Sequence, residues 1–110
     1  MTAPQLPEAF INGTPEERRR AFVHSVEPQN DNYDTVALML AHRAEVNWQN
    51  ENGYGLSACH WASYYGHLNV IQLLITSRAD VNLQDADGWT PLHFATDHVD
   101  AASALVQARA

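Results

Sequence analysis

Six histidines and a single cysteine carry the most obvious chemistry in this sequence. Imidazole and thiolate groups are common zinc ligands, and a cysteine near a histidine can act as an activated nucleophile. One such pair, Cys59 and His60, is adjacent in the chain. Adjacent residues on a helix project about 100° apart and do not face each other, so we expect an apolar, unreactive thiol. Since no glycine-rich phosphate loop or paired-carboxylate motif is present either, the sequence predicts no catalytic residue and no cofactor.

The spacing of the histidines argues against a metal centre. His60 and His93 are 33 residues apart and occupy equivalent positions in two similar segments. Side chains fixed one structural repeat apart do not converge on a tetrahedral metal site. We therefore expect structural histidines and no metal ligand, with a metal-binding or enzymatic protein kept as the remote alternative.

Charge and composition exclude several classes of partner. Thirteen acidic residues stand against six arginines, there is no lysine, and the formal net charge is −7. Such a chain lacks the basic surface that nucleic acids or anionic lipids require. The longest apolar stretch, residues 36–41, is too short to span a membrane, and residues 1–5 do not resemble a secretory signal. The sequence predicts a protein of the cytoplasm or nucleus that binds neither nucleic acid nor membrane.

An internal repeat organises most of the chain. Residues 55–62 and 88–95 share glycine, histidine and alanine in register, and residues 44–47 match 79–82. Ser57 and Thr90 are typical helix N-caps, and Pro91 follows at the first helical position, where its missing N–H costs nothing. The apolar residues of 70–74 fall on one helical face. Each unit is thus predicted to be a turn and an antiparallel helix pair that must stack on its neighbours.

The segment Thr90-Pro91-Leu92-His93-Phe94-Ala95 resembles the signature of the ankyrin-repeat family. The resemblance implies an all-α solenoid of about three stacked helix pairs with hairpin-like fingers. Residues 1–13 are predicted to be an N-terminal tail, although residues 7–12 could form one more capping turn. A degenerate capping repeat (14–47), a full repeat (52–82) and a shortened C-terminal capping repeat (85–110) follow. The ending also resembles that of small stand-alone ankyrin proteins such as myotrophin.

Three details of the resemblance make local predictions. Thr14 and Glu17 have the spacing of a capping box that opens a helix. Arg43 and Arg78 stand where the family usually has a left-handed glycine, at a cost of about 1 kcal/mol if the backbone is the same. Asn82 lies in a context that resembles a site for asparaginyl hydroxylation, but we expect its amide to serve the backbone of the finger.

The resemblance also implies a role in binding another protein, through the finger tips and the inner face of the first helices. Tyrosine and tryptophan at such positions are enriched in binding hot spots, although Trp48 and Trp89 could instead pack between repeats. The acidic surface favours a basic or neutral partner. The sequence predicts a monomeric, non-catalytic interaction module, a small adaptor or inhibitor; the alternative is a structural ankyrin segment of a larger protein. The predicted contact residues are Trp48, Tyr54, Leu56, Tyr64, Tyr65, Asp87, Trp89, Asp97 and His98.

Overall fold

The computed structural model describes residues 6–26, 33–50 and 54–109. The sequence also predicts a loop at 27–32 between the first two long helices and places Gly53 at the tip of the first finger; both lie outside these residues. The described residues form seven helices and no strand. The helices are α1 (Glu8–Asn12), α2 (Pro15–His24), α3 (Tyr33–Ala41), α4 (Ala58–Tyr65), α5 (Leu68–Thr76), α6 (Pro91–Phe94) and α7 (Val99–Arg109).

Two layers of helices build the stack. Helices α2, α4 and α6 follow one another in the inner layer, and α3, α5 and α7 follow one another in the outer layer. The apolar positions of the amphipathic α5, Val70, Ile71 and Leu74, are fully buried between the layers. One continuous core extends from Phe10 to Leu105. The all-α repeat solenoid expected from the sequence is confirmed.

Capping boxes begin the three inner helices, where the sequence predicts a capping box at Thr14 and N-caps at Ser57 and Thr90. The Thr14 hydroxyl accepts a hydrogen bond from the Glu17 N–H, while the Glu17 carboxylate accepts one from the Thr14 N–H. In the other two helices a histidine replaces the glutamate. Ser57 N–H donates to Nδ1 of His60 at 3.1 Å, and Thr90 N–H donates to Nδ1 of His93 at 2.9 Å.

Helices α3 and α5 of the outer layer end in left-handed turns without glycine. Arg43 has φ 67° and Arg78 has φ 69°, as the resemblance implied. After each arginine the next N–H reaches back to close the helix, Ala44 to the Met39 carbonyl and Ala79 to the Leu74 carbonyl. The turn geometry of the family is therefore kept, and Arg43 and Arg78 adopt a positive φ that is unfavourable for a residue with a Cβ.

The segment predicted as a tail contributes a helix to the core. Phe10 on α1 is buried, with the Arg18 guanidinium 4.3 Å from its ring centroid. Arg18 also donates from Nη1 to the Phe10 carbonyl at 2.7 Å. An aromatic side chain with a dedicated cationic partner explains why this short segment is helical and packed. Residues 1–5 lie outside the described part of the chain.

Two fingers project from the helices. In the second finger, the N–H groups of Asp87 and Trp89 both donate to the Asp85 carboxylate, and Asp85 N–H donates to the Trp89 carbonyl. The fingers bond to each other: Gln49 Nε2 donates to the Gln84 carbonyl at 2.6 Å, and Ala86 N–H donates to the Tyr54 carbonyl at 2.8 Å. These bonds fix where the finger tips stand relative to the helices.

Candidate functional site

A cleft of about 550 Å³ opens between α4 and α6 on the inner layer. We call it the aromatic cleft, because most of its large lining side chains are aromatic. Four of the residues that the sequence predicted as contacts lie together here. The lining residues are Leu56, Trp61, Tyr64, Tyr65, His93, Phe94, Thr96 and Asp97.

The rings of the cleft hold one another in place. Trp61 and Tyr65, one helical turn apart, stack with centroids 5.9 Å apart and planes 12° apart. Tyr64 meets the edge of Tyr65 at 4.8 Å and of Phe94 at 6.4 Å. Such pairs contribute about 0.5–1.5 kcal/mol each beyond burial. Because Tyr64 is still 56% exposed, the cleft offers a preordered aromatic surface to solvent.

The cleft exists because the third repeat is shorter than the second. Helix α4 runs from Ala58 to Tyr65, whereas its counterpart α6 ends at Phe94. His98 and Arg109 match His67 and Arg78 at a spacing of 31 residues, two fewer than the spacing of the first helices. The two missing residues correspond to the end of the first helix of the third repeat, α6. Bulky neighbours are therefore missing beside Tyr64 and Tyr65, and the space is left open.

His98 is placed differently from the other predicted contacts. Its Nε2 lies 3.0 Å from the Tyr64 carbonyl, and the ring packs over Gly66. Gly66 ends α4 with φ 69°, and a Cβ there would lie only 2.4 Å from Nδ1 of His98. The imidazole thus joins the second repeat to the third and supports the backbone beneath Tyr64, instead of standing free at the surface.

The finger tips carry the remaining predicted contacts. Tyr54 is 72% exposed and Trp89 is 49% exposed, the indole meeting the His93 ring edge-to-face at 4.9 Å. Asp87 is exposed on the second finger, two residues before Trp89. Trp48 is half-buried and packs against the core. Exposed aromatics therefore stand at both finger tips, while Trp48 is largely engaged within the fold.

Two aromatic residues of the cleft were not predicted as contacts, Trp61 and Phe94. Both occupy the same position of the repeat, directly before the alanine that packs in the core. Trp61 precedes Tyr65 by four residues, a spacing that brings side chains together on a helix. That spacing was the signal that could have identified Trp61.

His60 is a structural link rather than a reactive group. Its buried ring accepts from Ser57 N–H through Nδ1, so its proton resides on Nε2, which donates to the Trp89 carbonyl at 2.9 Å. Burial lowers the pKa of His60, and the hydrogen bond to the Trp89 backbone opposes that effect. Both nitrogens of the neutral ring are therefore bonded: Nδ1 caps the start of α4, and Nε2 holds the second repeat against the third.

Cys59 is buried, and this burial raises the pKa of its thiol to about 12. A thiol with such a pKa forms almost no thiolate near neutral pH, and thiolate is the nucleophilic form. Among residues 6–26, 33–50 and 54–109, no three histidine, cysteine or acidic side chains come together as a metal site would require. Within the same residues no helix has the length and apolarity to cross a bilayer.

The stack of repeated helix pairs defines the chain as a helical repeat protein, and comparison with known sequences identifies the repeat. The family model for ankyrin repeats matches residues 23–110 in three copies. The chain therefore belongs to the ankyrin-repeat family.

Three relatives illustrate how the chain compares with longer proteins. Human inversin is 34% identical over 70 residues, which are 62% of this chain and 6% of inversin. Mouse protein phosphatase 1 regulatory subunit 12A is 51% identical over 58 residues, 53% of this chain and 5% of that protein. An ankyrin repeat-containing protein of Schizosaccharomyces pombe is 34% identical over 73 residues, 66% of this chain and 34% of its own length. The chain thus spans a small part of the first two relatives and about a third of the last.

Proposed function

We propose that this chain is a non-catalytic recognition module that binds a segment of another protein in the aromatic cleft. The observation that supports this most directly is the cluster of Trp61, Tyr64, Tyr65 and Phe94, held in mutual ring contact yet open to solvent. Ankyrin repeats are protein-interaction modules, and rigid aromatic surfaces lose little conformational entropy on binding.

The chemistry of the surface indicates the kind of segment that fits. Asp97 is the one acidic residue lining the cleft, and Asp87 is exposed on the neighbouring finger. No arginine lines the cleft, and the chain has no lysine. A partner segment with apolar or aromatic anchors and a basic or neutral charge is complementary to this surface.

The binding surface extends from the cleft to the finger tips in this proposal. Tyr54 and Trp89 supply exposed aromatic area, and Leu56 joins the fingers to the cleft. His98 takes part by holding the Tyr64 backbone, and Trp48 by packing the first finger on the core. The module would act as a monomeric adaptor or inhibitor of the cytoplasm or nucleus.

A second candidate role is that of a structural ankyrin segment within a larger protein. The observation that favours it is the length of the relatives, because the matched region is only 6% of inversin and 5% of the phosphatase regulatory subunit. In that role the three helix pairs would hold other parts of a longer chain in place, and the aromatic cleft would have no partner of its own.

Affinity capture with three baits separates the two roles. The wild-type chain, the Tyr64→Ala/Tyr65→Ala variant and a Tyr33→Ala control are immobilised, and captured proteins are identified by quantitative mass spectrometry. Tyr33 is an exposed tyrosine on α3 in the outer layer. Its replacement by alanine therefore removes the same kind of side chain as the double variant does but leaves the aromatic cleft unchanged. We expect a protein retained by the wild type and the control to be lost from the double variant, with affinity weakened by about 2–4 kcal/mol.

The fold of each bait is checked by circular dichroism and urea unfolding. Tyr65 is half-buried and stacks on Trp61, so a modest loss of stability is expected from its removal. If a folded double variant keeps the full affinity of the wild type, the aromatic cleft is not the binding site. If no specific protein is retained by any bait, the structural role is favoured.

A further inference from the structure

Charge is unevenly distributed along the stack. Four of the six arginines fall within residues 18–43, in the first repeat. The other two, Arg78 and Arg109, stand where the outer-layer helices α5 and α7 end. Residues 44–77 and 79–108, which supply both fingers and the aromatic cleft, have seven acidic side chains and no arginine. The cleft therefore lies in a negative electrostatic field, which attracts cations.

The polar groups that line the aromatic cleft include acceptors without a protein partner. Asp97 is exposed, and its carboxylate makes no hydrogen bond or ion pair within the described residues. The same is true there of the hydroxyl groups of Tyr64, Tyr65 and Thr96. The cleft therefore suits a ligand that combines a positive charge with several hydrogen-bond donors.

The rings of the cleft add a second attraction for cations. The planes of Trp61 and Tyr65 are within 12° of each other. Tyr64 stands at 77° to Tyr65 and at 74° to Phe94. The ring faces are thus turned in two nearly perpendicular directions around one space. Each face is the negative side of a quadrupole, and a cation within about 6 Å of a ring centroid is attracted to it.

We propose that the anchor of the segment bound in the aromatic cleft is an arginine side chain. This inference rests on the function proposed above and narrows the chemistry of the partner. The guanidinium stacks on the Trp61–Tyr65 pair and donates to the Asp97 carboxylate. Its other N–H groups donate to hydroxyls of the cleft, and its methylene stem packs on the apolar surface beside Leu56.

Arginine fits these groups better than other cations do. A guanidinium is planar and weakly hydrated, and its five N–H donors form a fork that matches a carboxylate. The ammonium of lysine is compact and strongly hydrated, so it loses more solvation when it approaches the rings. A trimethylated ammonium has no donor and would leave the Asp97 carboxylate and the hydroxyls without partners.

An apolar anchor is less complementary than an arginine. It would fill the same space, but it would displace water from the Asp97 carboxylate without replacing the lost hydrogen bonds. A polar group that is desolvated and left unpaired opposes binding. The single carboxylate among the rings therefore favours a cationic occupant over a leucine or phenylalanine side chain.

The test uses capped tripeptides in which the middle residue varies between two glycines. The middle residue is arginine, citrulline, lysine, trimethyllysine or norleucine. Citrulline has the shape of arginine but a neutral urea group, so it isolates the effect of the charge. Each peptide is titrated into the isotope-labelled full chain and followed by NMR. We expect the arginine peptide to shift the Trp61 indole N–H and the backbone amides of Tyr64 and Asp97, and to bind about tenfold more tightly than the citrulline peptide.

Matched substitutions show whether this selectivity arises in the cleft. Asp97→Asn should weaken binding of the arginine peptide by about 3- to 10-fold and leave that of the citrulline peptide nearly unchanged. Asp100→Asn removes the same charge from an exposed position in the first turn of α7, outside the cleft, and should leave both affinities unchanged. Trp61→Leu keeps an apolar side chain but removes a ring, and should bring the arginine peptide close to the citrulline peptide. Circular dichroism confirms that each variant is folded.

Several results would overturn the arginine anchor. The arginine and citrulline peptides could bind equally, or the trimethyllysine or norleucine peptide could bind more tightly than the arginine peptide. The arginine peptide could also give no saturable shift in the cleft, or bind Asp97→Asn and Asp100→Asn with the same affinity. Each of these results leaves the recognition role itself to the affinity capture with the Tyr64→Ala/Tyr65→Ala bait. A partner lost from that bait but no preference for arginine would mean that the cleft binds through another anchor.

Discussion

The two joints of the stack are held by different chemistry. At the N-terminal joint, by which we mean the contacts of α2 with α1, with the end of α3 and with the first finger, Arg18 donates to the carbonyls of Phe10 and His42, and Arg19 forms an ion pair with Glu45 at 2.6 Å. The joint between the second and third repeats, with each finger counted with the helices that follow it, uses four neutral groups that we call the inner seam: Asn47 Oδ1, Gln49 Nε2, the Tyr54 carbonyl and His60 Nε2. One joint depends on charged side chains that remain partly in water, and the other on neutral groups around a buried imidazole.

This difference determines what each joint responds to. Exposed ion pairs such as Arg19–Glu45 contribute little, typically less than about 1 kcal/mol, and salt weakens them further. Within the inner seam the bonds of Asn47 and Gln49 are exposed, but the His60 ring is buried, so its bond to the Trp89 carbonyl is the costly one to break. The degenerate first repeat can thus attach through adjustable surface contacts, whereas the buried imidazole fixes the second repeat against the third.

The largest expected effect comes from removing the imidazole of the inner seam. His60→Ala removes the side-chain partner of the Ser57 N–H and one of the two donors to the Trp89 carbonyl, which keeps the Asp85 N–H, and it opens a cavity in a fully buried position. We expect the free energy of unfolding to fall by about 2–4 kcal/mol. Urea unfolding followed by circular dichroism measures it.

His93→Ala is the matched control for that change. It removes the same capping bond from the start of a helix but breaks no described bond to a following repeat. The expected loss is about 0.5–1.5 kcal/mol. Equal losses for the two variants would mean that the His60–Trp89 bond adds nothing to the joint.

Acid should weaken the two joints in different pH windows. Burial lowers the pKa of His60 below its ordinary value of 6.5, so protons bind more readily to the unfolded chain. The stability from this neutral ring is complete above about pH 6.5 and is lost as the pH falls below it. The hydrogen bond from Arg19 lowers the pKa of Glu45 below 4.5, so its contribution persists until the pH falls below about 4.5.

Urea midpoints measured from about pH 7.5 to about pH 3.5 test this separation. The urea midpoint of the wild type should fall with pH in both windows. The midpoint of His60→Ala should depend less on pH in the upper window, and that of Glu45→Gln should depend less on pH in the lower window. If the urea midpoint of His60→Ala falls with pH in the upper window as steeply as that of the wild type, the loss of stability there is due to the titration of another group.

The smallest effect is a gain at the left-handed turns. Arg78 is exposed, has φ 69°, and its guanidinium makes no hydrogen bond or ion pair within the described residues. Arg78→Gly should raise the free energy of unfolding by about 0.5–1 kcal/mol, because glycine adopts positive φ without strain. Arg43→Gly at the first turn should shift the thermal midpoint in the same direction. A clear loss at position 78 would show that the arginine stem makes a stabilising contact.

Most of the local structure could be predicted from the sequence, because it depends on residues close together in the chain. The capping residues Thr14, Ser57 and Thr90 each bond to a group three residues away. The left-handed arginines follow from the position of the turn in the repeat. In both cases the family pattern fixes the backbone and the side-chain chemistry agrees with it.

Features that depend on tertiary contacts could not be predicted in the same way. The burial of Phe10 requires Arg18 to reach its ring and its carbonyl. The contact of His98 with the Tyr64 carbonyl requires the shortened end of the first helix in the third repeat, and so does the opening of the aromatic cleft. The shortening by two residues can be read from the sequence. Whether the neighbouring side chains fill the resulting space or leave a cleft depends on how they pack in the folded protein.

The burial of Cys59 makes its thiol an intrinsic labelling probe for opening of the stack. It is the only thiol, it lies in the middle repeat, and its sulfur is shielded with a pKa of about 12. A thiol reagent can therefore react only when the stack opens, and the rate of labelling reports the frequency of that opening under native conditions. The same signal distinguishes fraying at the N-terminal joint, which should leave labelling slow, from separation of the second and third repeats, which should accelerate it.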